Sequence, residues 1–296
     1  MRSSIASILV MITAAFVQTG SAQPFSSLVG AYPDISRSLK ALSSFPELLE
    51  KLDNEPNVTV FSPANVGFNQ SYAKQVFDTA PDVLLSGLQY TIVRGIYDIA
   101  TLQKLGNSFL PTLLTNETYT NVSGGAVQHV QKDPRSLLRY SGAGDRSDIL
   151  TTGSNIRFDG GILHITNRIP ALPIALSELS TVLDLTAIEL LSDPASVPDL
   201  NTQTSPDLTF FVPTNAALAR YRAANDGKDP SWPAHVVSGS SPLFSTVLTG
   251  LKSVESAAKD SYRISVDEDG AVKVGEATVV NPDVLIQNGV VHVIDA

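Results

Sequence analysis

Val58-Thr-Val-Phe-Ser-Pro-Ala-Asn65-Val-Gly-Phe68 recurs as Leu208-Thr-Phe-Phe-Val-Pro-Thr-Asn215-Ala-Ala-Leu218, with Thr, Phe, Pro and Asn in identical places at an offset of 150. A second pair, Gly160-Gly-Ile-Leu-His164-Ile-Thr166 and Asn288-Gly-Val-Val-His292-Val-Ile294, follows in the same order at an offset of 128. Two anchors that recur in order mark an internal duplication. In the first anchor, β-branched and aromatic residues make a short strand. Pro63 or Pro213 then ends the ladder because it carries no N–H donor, and Asn65 or Asn215 is suited to cap a helix starting just after it. In the second anchor a glycine turn leads into a strand whose alternate residues, Ile162, His164 and Thr166, share one face.

Upstream of each first anchor the leucines fall at helical spacing: Leu39, Leu42, Leu48, Leu49 and Leu52 in one copy, Leu176, Leu179, Leu183 and Leu191 in the other. Ser36 and Ser177 are expected to cap these helices. Between the anchors come alternating stretches such as Tyr262-Arg-Ile-Ser-Val266 and Ala271-Val-Lys-Val274, joined by the hairpin signal Asp269-Gly270. Helices first and strands later give an α+β class. The two offsets differ by 22, so the first copy carries extra chain, expected as a surface insertion in the polar stretch at about 116–148. The expected division is residues 23–173 and residues 174–296, meeting near Ile169-Pro-Ala-Leu-Pro173, where two prolines resist helix and central strand.

Of the 296 residues 43% are hydrophobic and 17% charged, which suits a folded chain rather than an acidic disordered tail. Twenty Lys and Arg against 29 Asp and Glu give a net charge of −9, which repels phosphate backbones and anionic headgroups, so neither nucleic acid nor an anionic membrane surface is an expected partner. Arg2, the apolar run Ile5 to Val17 and then Gly20-Ser-Ala22 read as a secretory signal peptide over residues 1–22, the run being shorter than the roughly 20 residues that span a bilayer. Cysteine is absent, which excludes disulfides, thiolate metal sites and Cys nucleophiles. The sequons at Asn57, Asn69, Asn116 and Asn121 fit a secretory route. The first repeat runs on to Pro173 after its strand histidine whereas the second stops soon after His292, so the second domain reads as cut short at its C-terminus. If an anchor signal is what is missing there, the chain belongs on a cell surface or cell wall.

These paired anchors, the helical prefix and the closing Asn288-Gly-Val-Val-His-Val-Ile-Asp295 resemble tandem fasciclin-like domains over nearly the whole chain after residue 22. The resemblance implies two extracellular modules, each a β-sandwich or wedge with packed N-terminal helices. Pro63, Asn65, His164, Pro213, Asn215 and His292 fall in its structural motifs. The family's middle motif, a Tyr-His pair tied in some animal members to cell adhesion, is split here: Tyr90 is followed by Thr91, and His235 is preceded by Ala234. Asn281-Pro-Asp283-Val-Leu285 resembles the Asp-centred adhesion sequence of those members, but its favoured reading is an edge turn before the last strand.

Catalytic chemistry has little to stand on in this sequence. No Gly-x-Ser-x-Gly elbow, zinc spacing or phosphate loop occurs; Gly142-Ala-Gly144 lacks a third glycine. Ser265-Val-Asp267-Glu-Asp269-Gly270 with Glu276 mimics a calcium loop, but strand-like flanks replace the helices such a loop needs. His164 and His292 sit between apolar neighbours and read as structural, while His129 falls in the expected insertion. The expectation is a non-enzymatic, cofactor-free, metal-free secreted or cell-surface protein. Its partner would be a cell-surface or extracellular-matrix protein or glycan, engaged through weak multivalent contacts. The alternative is a binding module for a small apolar ligand or a glycan.

Overall fold

The computed structural model describes residues 23–28, 31–54, 57–69, 81–132, 137–150 and 153–296. The expected signal peptide lies outside the described residues. The first half runs α1 (Ser36–Ser43), α2 (Pro46–Asn54), β1 (Val58–Pro63), α3 (Pro81–Tyr90), β2 (Ile92–Arg94), α4 (Ile99–Leu105) and β3 (Asn107–Pro111). It continues with β4 (Val127–Lys132), β5 (Leu137–Tyr140), β6 (Arg146–Leu150), β7 (Ile156–Phe158) and β8 (Gly161–Thr166). The second half runs α5 (Leu176–Leu183), α6 (Thr186–Ser192), β9 (Leu208–Pro213), α7 (Asn215–Ala224), β10 (Val236–Ser238) and α8 (Ser245–Leu248). It closes with β11 (Ser253–Glu255), β12 (Ser261–Val266), β13 (Val272–Val274), β14 (Ala277–Ile286) and β15 (Gly289–Ile294). The class is α+β, as the order of patterns in the sequence implies.

Each half owns one sheet, and the strand orders match: β2-β1-β8-β6-β5-β4-β3, with β7 also on β8, against β10-β9-β15-β14-β13-β12-β11. The two anchors of each copy are thereby neighbours. β1 lies parallel to β8 with Phe61 opposite His164, and β9 parallel to β15 with Phe211 opposite His292. Alternation then sorts the side chains. Val58, Val60, Leu163 and Ile165 face the leucines of α1 and α2, whereas Phe61 faces Val130, Leu137 and Ile149 from the strands that fold over the other side. In the second half Leu208, Phe210 and Val212 meet α5 and α6, and Phe211 and Ile294 meet Ile264, Val272 and Val274. Each half is therefore helices, sheet and folded-over strands, a wedge with two cores.

Local details correct two expectations. Neither Ser36 nor Ser177 caps a helix: α1 starts at Ser36 behind Ile35, and α5 starts behind Ala175, with no side-chain cap at either. Asn65 and Asn215 do not cap the helical turns that follow them either, a role that Thr214 takes for α7 by accepting from the Ala217 N–H at 3.1 Å. They reach sideways instead. Asn65 Oδ1 accepts from Arg37 N at 3.0 Å and Asn215 Oδ1 from Thr186 N at 2.9 Å. Their Nδ2 atoms donate to Pro33 O and Asp184 O at 2.7 and 2.8 Å. Each amide thus ties the end of the central strand to the entry of an upstream helix, supplying a partner to N–H groups left unpaired by the helix itself.

The expected insertion at 116–148 is also redrawn. That stretch contains β4, β5 and the start of β6, which have counterparts in β12, β13 and β14. The largest single share of the extra chain lies at residues 112–126, where the second half has only residues 256–260. The junction at residues 169–173 has no regular secondary structure, and Ile169 and Leu172 are buried in it. Cleavage there requires the segment to lift off the first half, where Ile169 packs on Phe68 and Leu172 on Tyr90, Leu114 and Ala126.

Close approach explains the glycine that opens each closing strand. A Cβ on Gly161 would stand 1.9 Å from Val58 O, and one on Gly289 1.8 Å from Leu208 O, both rigid backbone atoms in the parallel neighbour. Gly161→Ala and Gly289→Ala should each destabilise by roughly 1–3 kcal/mol or more in urea unfolding, the cost of forcing volume into a packed interior. An unchanged Gly289→Ala midpoint would contradict the β9–β15 register.

Candidate functional site: a histidine clamp made twice

The most polar feature of each core is built on the repeated histidine. His164 Nε2 lies 2.7 Å from Tyr97 O, and its Nδ1 accepts from Asn155 N at 3.3 Å. His292 Nε2 lies 2.8 Å from Leu243 O, and its Nδ1 accepts from Asp283 N at 3.3 Å. An Nδ1 that accepts from a backbone N–H carries no proton, so both rings are neutral Nε2–H tautomers donating to a carbonyl. Each ring stacks on the phenylalanine beside it in the sheet, with centroids 5.7 Å apart for Phe61–His164 and 5.6 Å for Phe211–His292.

The residue gripped by the histidine is held at its other end by the repeated threonine. Tyr97 N donates to Thr59 Oγ1 at 2.9 Å, and Leu243 N to Thr209 Oγ1 at 2.8 Å. One loop residue in each half is therefore fixed at both backbone polar groups, by the first anchor at N–H and by the second at C=O. The residue that donates to Nδ1 closes the circuit. Asn155 and Asp283 both adopt a left-handed conformation, φ 60° and 62°, which Asn and Asp tolerate better than other side-chain-bearing residues. Their Oδ1 atoms accept from Ile99 N at 3.0 Å and Ser245 N at 2.8 Å, the first residues of α4 and α8. Asp283 Oδ2 also takes the Ser245 hydroxyl at 2.5 Å.

Burial lowers the pKa of His164 and His292 below the ordinary 6.5, opposed in part by the carbonyl bonds and by Asp98 or Asp283. His235 is lowered by burial as well, with Nδ1 2.8 Å from Phe211 O, and so is His129. A base with a depressed folded pKa binds fewer protons folded than unfolded. Its stabilising contribution is complete above about 6.5 and is lost as the pH falls from there toward the folded value.

The adhesion candidates fare differently from one another. Tyr90 is buried, its hydroxyl donating to Val127 O at 2.9 Å. His235 is half-buried against Trp232. Asn281-Pro-Asp283-Val-Leu285 is not an edge turn: it lies within β14 at a register shift, with Asn281 exposed and Leu285 buried. Asp283 is only 3% exposed and its carboxylate is spent on α8, so the acid that an Asp-centred recognition sequence must offer is turned inward.

Two features carry no signal in the sequence. Arg139 is fully buried, bonded to Ser147 Oγ, Gln128 Oε1 and Arg168 O at 2.9, 3.2 and 3.2 Å, with its guanidinium 5.7 Å from the centre of the Phe61 ring. Desolvation pulls its pKa to about 10, which leaves it charged at neutral pH. The second feature is the junction of the halves. Asn121 N donates to Gln287 O at 3.0 Å and Ala143 N to Leu285 O at 2.8 Å, at the far end of β14 that β13 leaves unpaired. Ser123 gives its N–H and hydroxyl to the Asp207 carboxylate at 2.8 and 2.5 Å. His129 stacks on Phe109, and Phe109 on Phe244 of the second half with centroids 4.0 Å apart. Among the described residues no three His, Cys, Asp or Glu side chains converge as a metal site, and Asp267 of the calcium-like stretch accepts from Asp269 N and Ala271 N within its turn.

Comparison with known proteins places a fasciclin domain at residues 184–296. A fasciclin-like arabinogalactan protein of Arthroderma benhamiae is 28% identical over 286 residues, covering 92% of this chain and 66% of that protein, just under two thirds. Fasciclin-like arabinogalactan protein elcF of Phaeosphaeria nodorum is 26% identical, covering 93% of this chain and 88% of that one. Among solved structures, a FAS1 domain pair from the insect cell adhesion molecule fasciclin I aligns with a TM-score of 0.42 and 16% identity over 88% of this chain and 95% of that one.

Asp283→Asn should be nearly neutral in urea unfolding, because Asn155 makes the equivalent bond in the first half. Asp283→Ala should cost roughly 1–3 kcal/mol by stranding the Ser245 donors. Equal stability of the two variants would show that the carboxylate does not hold α8.

Proposed function

We propose that this chain is a non-enzymatic, secreted or cell-surface protein that contributes to adhesion or matrix cohesion through weak contacts made many times over. The observation that carries this reading is the commitment of both strand histidines, in two equivalent copies, to backbone bonds inside a fasciclin-type scaffold. Such a scaffold offers a rigid acidic surface rather than a set of free reactive groups. The resemblance to fasciclin-like arabinogalactan proteins supports an extracellular or cell-wall setting, and among the described residues no helix is long and apolar enough to cross a membrane. The partner class remains a cell-surface or matrix protein or glycan, met by exposed surface rather than by Tyr90 or Asp283.

The same reading divides the chain into residues 23–173 and 174–296. Asp159 N donates to Gln23 O at 2.9 Å, and Gln287 N to Ile174 O at 2.9 Å, so a strap enters each half at the equivalent place. A second reading, a module that binds a glycan, is favoured by a cleft of about 760 Å³ between the halves whose walls carry hydroxyl and amide groups. That lining suits a sugar rather than an apolar ligand.

Linked sites that engage together gain roughly 10²- to 10⁴-fold in avidity without any new contact. The soluble chain should bind cells or matrix with a Kd on the order of micromolar or weaker, while the same chain coupled densely to beads binds firmly at physiological salt. Nanomolar binding by the soluble monomer would contradict the multivalent reading.

A further inference from the structure

We propose that the cleft between the halves is the seat of the chain's own N-linked glycan, attached at Asn121; this rests on the secretory reading above. Asn121-Val122-Ser123 is a sequon, and Asn121 and Val122 form part of the cleft wall. Arg94, Thr115, Glu117 and Thr120 line the cleft from the same half and Gln203 and Gln287 from the other, a set of donors and acceptors matched to sugar hydroxyls. The cleft has a volume of about 760 Å³ and opens to solvent, which leaves a path for a glycan to run outward from Asn121.

The asparagine and its sequon serine are fixed at the wall by three residues of the second half. Its N–H is bonded to Gln287 O, its Nδ2 donates to Thr204 O at 2.6 Å, and Ser123 is held by Asp207. A carboxamide nitrogen carries two hydrogens. Glycan transfer replaces one, and the other keeps the bond to Thr204. In that step Nδ2 attacks the anomeric carbon of a lipid-diphosphate-linked oligosaccharide. The carbon–nitrogen bond forms, the carbon–oxygen bond to the diphosphate breaks with its electron pair leaving on the diphosphate, and the amide proton goes to base. Order of synthesis makes room for the transfer. Asn121 precedes Thr204, Asp207 and Gln287 in the chain, so it is accessible before the far wall exists, and the second half then closes over the first sugars.

Asn57 is the contrast within the same molecule. It occupies the position equivalent to Asp207, with φ 71° against 58°, but it is exposed, whereas Asp207 is buried beneath Ser123. A glycan on Asn57 projects into solvent.

The test is site-resolved release of glycans from the folded, full-length chain made in a eukaryotic secretory host. A peptide N-glycosidase, which hydrolyses the bond between the asparagine side chain and the first sugar, acting in oxygen-18 water turns each freed asparagine into a labelled aspartate for mass spectrometry. Release at Asn121 should be at least about tenfold slower than at Asn57 or Asn116, because it requires the halves to open, and the rates should converge after denaturation. Asp207→Gly, which removes the carboxylate that holds Ser123, keeps the left-handed backbone and creates no new sequon, should speed release at Asn121 alone. Asn57→Asp should remove one glycan and leave the protection at Asn121 unchanged. Glycans at Asn57 or Asn116 with a bare Asn121, or release at Asn121 as fast as at Asn57, would overturn this proposal while leaving the secretory reading intact. A chain bare at every sequon would overturn both.

Discussion

A buried imidazole bonded at both ring nitrogens to backbone sets the geometry of each half. Such a group is costly to bury unless both nitrogens find partners, and here each partner belongs to a different part of the chain. Nε2–H takes the carbonyl of Tyr97 or Leu243, and Nδ1 takes the N–H of a left-handed Asn155 or Asp283. The first fixes the loop ahead of α4 or α8, and the second fixes the kink ahead of the closing strand. Because the repeated threonine holds the other end of the same loop residue, the two sequence anchors cooperate on one peptide unit. Removing the ring would strand an acceptor and a donor together, which is why the site is structural rather than reactive.

The two clamps are equivalent in bonding but not in surroundings. Asn155 is exposed, whereas Asp283 is covered because the first half packs over β14. That packing comes from the residues by which the copies differ most, 112–126, together with the turn that carries Ala143. Duplication thus supplied two similar wedges, and added chain in the first supplied the means of joining them. The Phe109–Phe244 stack ends next to Ser245, so the joint and the second clamp share the start of α8.

Much of this is legible in the sequence. Every letter shared by the two copies of the first anchor has a physical role, for Thr grips the loop, Phe carries the histidine, Pro ends the ladder and Asn ties a helix entry. Periodicity places the helices and the alternating strands because burial on one face enforces it. What Asn65 and Asn215 hold is hidden from local capping rules, because their partners lie near 30 residues upstream. Asn155 and Asp283 do not announce themselves as a pair, since only the matching offset of 128 connects them and Asp283 sits inside a more suggestive linear motif. Arg139 and the joint between halves depend on tertiary burial, for which a single sequence carries no periodic signal.

Ring-nitrogen magnetic resonance of His164 and His292 in the folded chain tests the clamp most directly. Spectra taken from about pH 7.5 down to about pH 5 should show a protonated Nε2 and a bare Nδ1 on both rings, unchanged through about pH 6.5, where a solvated histidine takes up its second proton. An imidazolium at about pH 6.5 on either ring, or a proton on Nδ1 at neutral pH, would contradict the backbone clamp on which the rest of the structure is built.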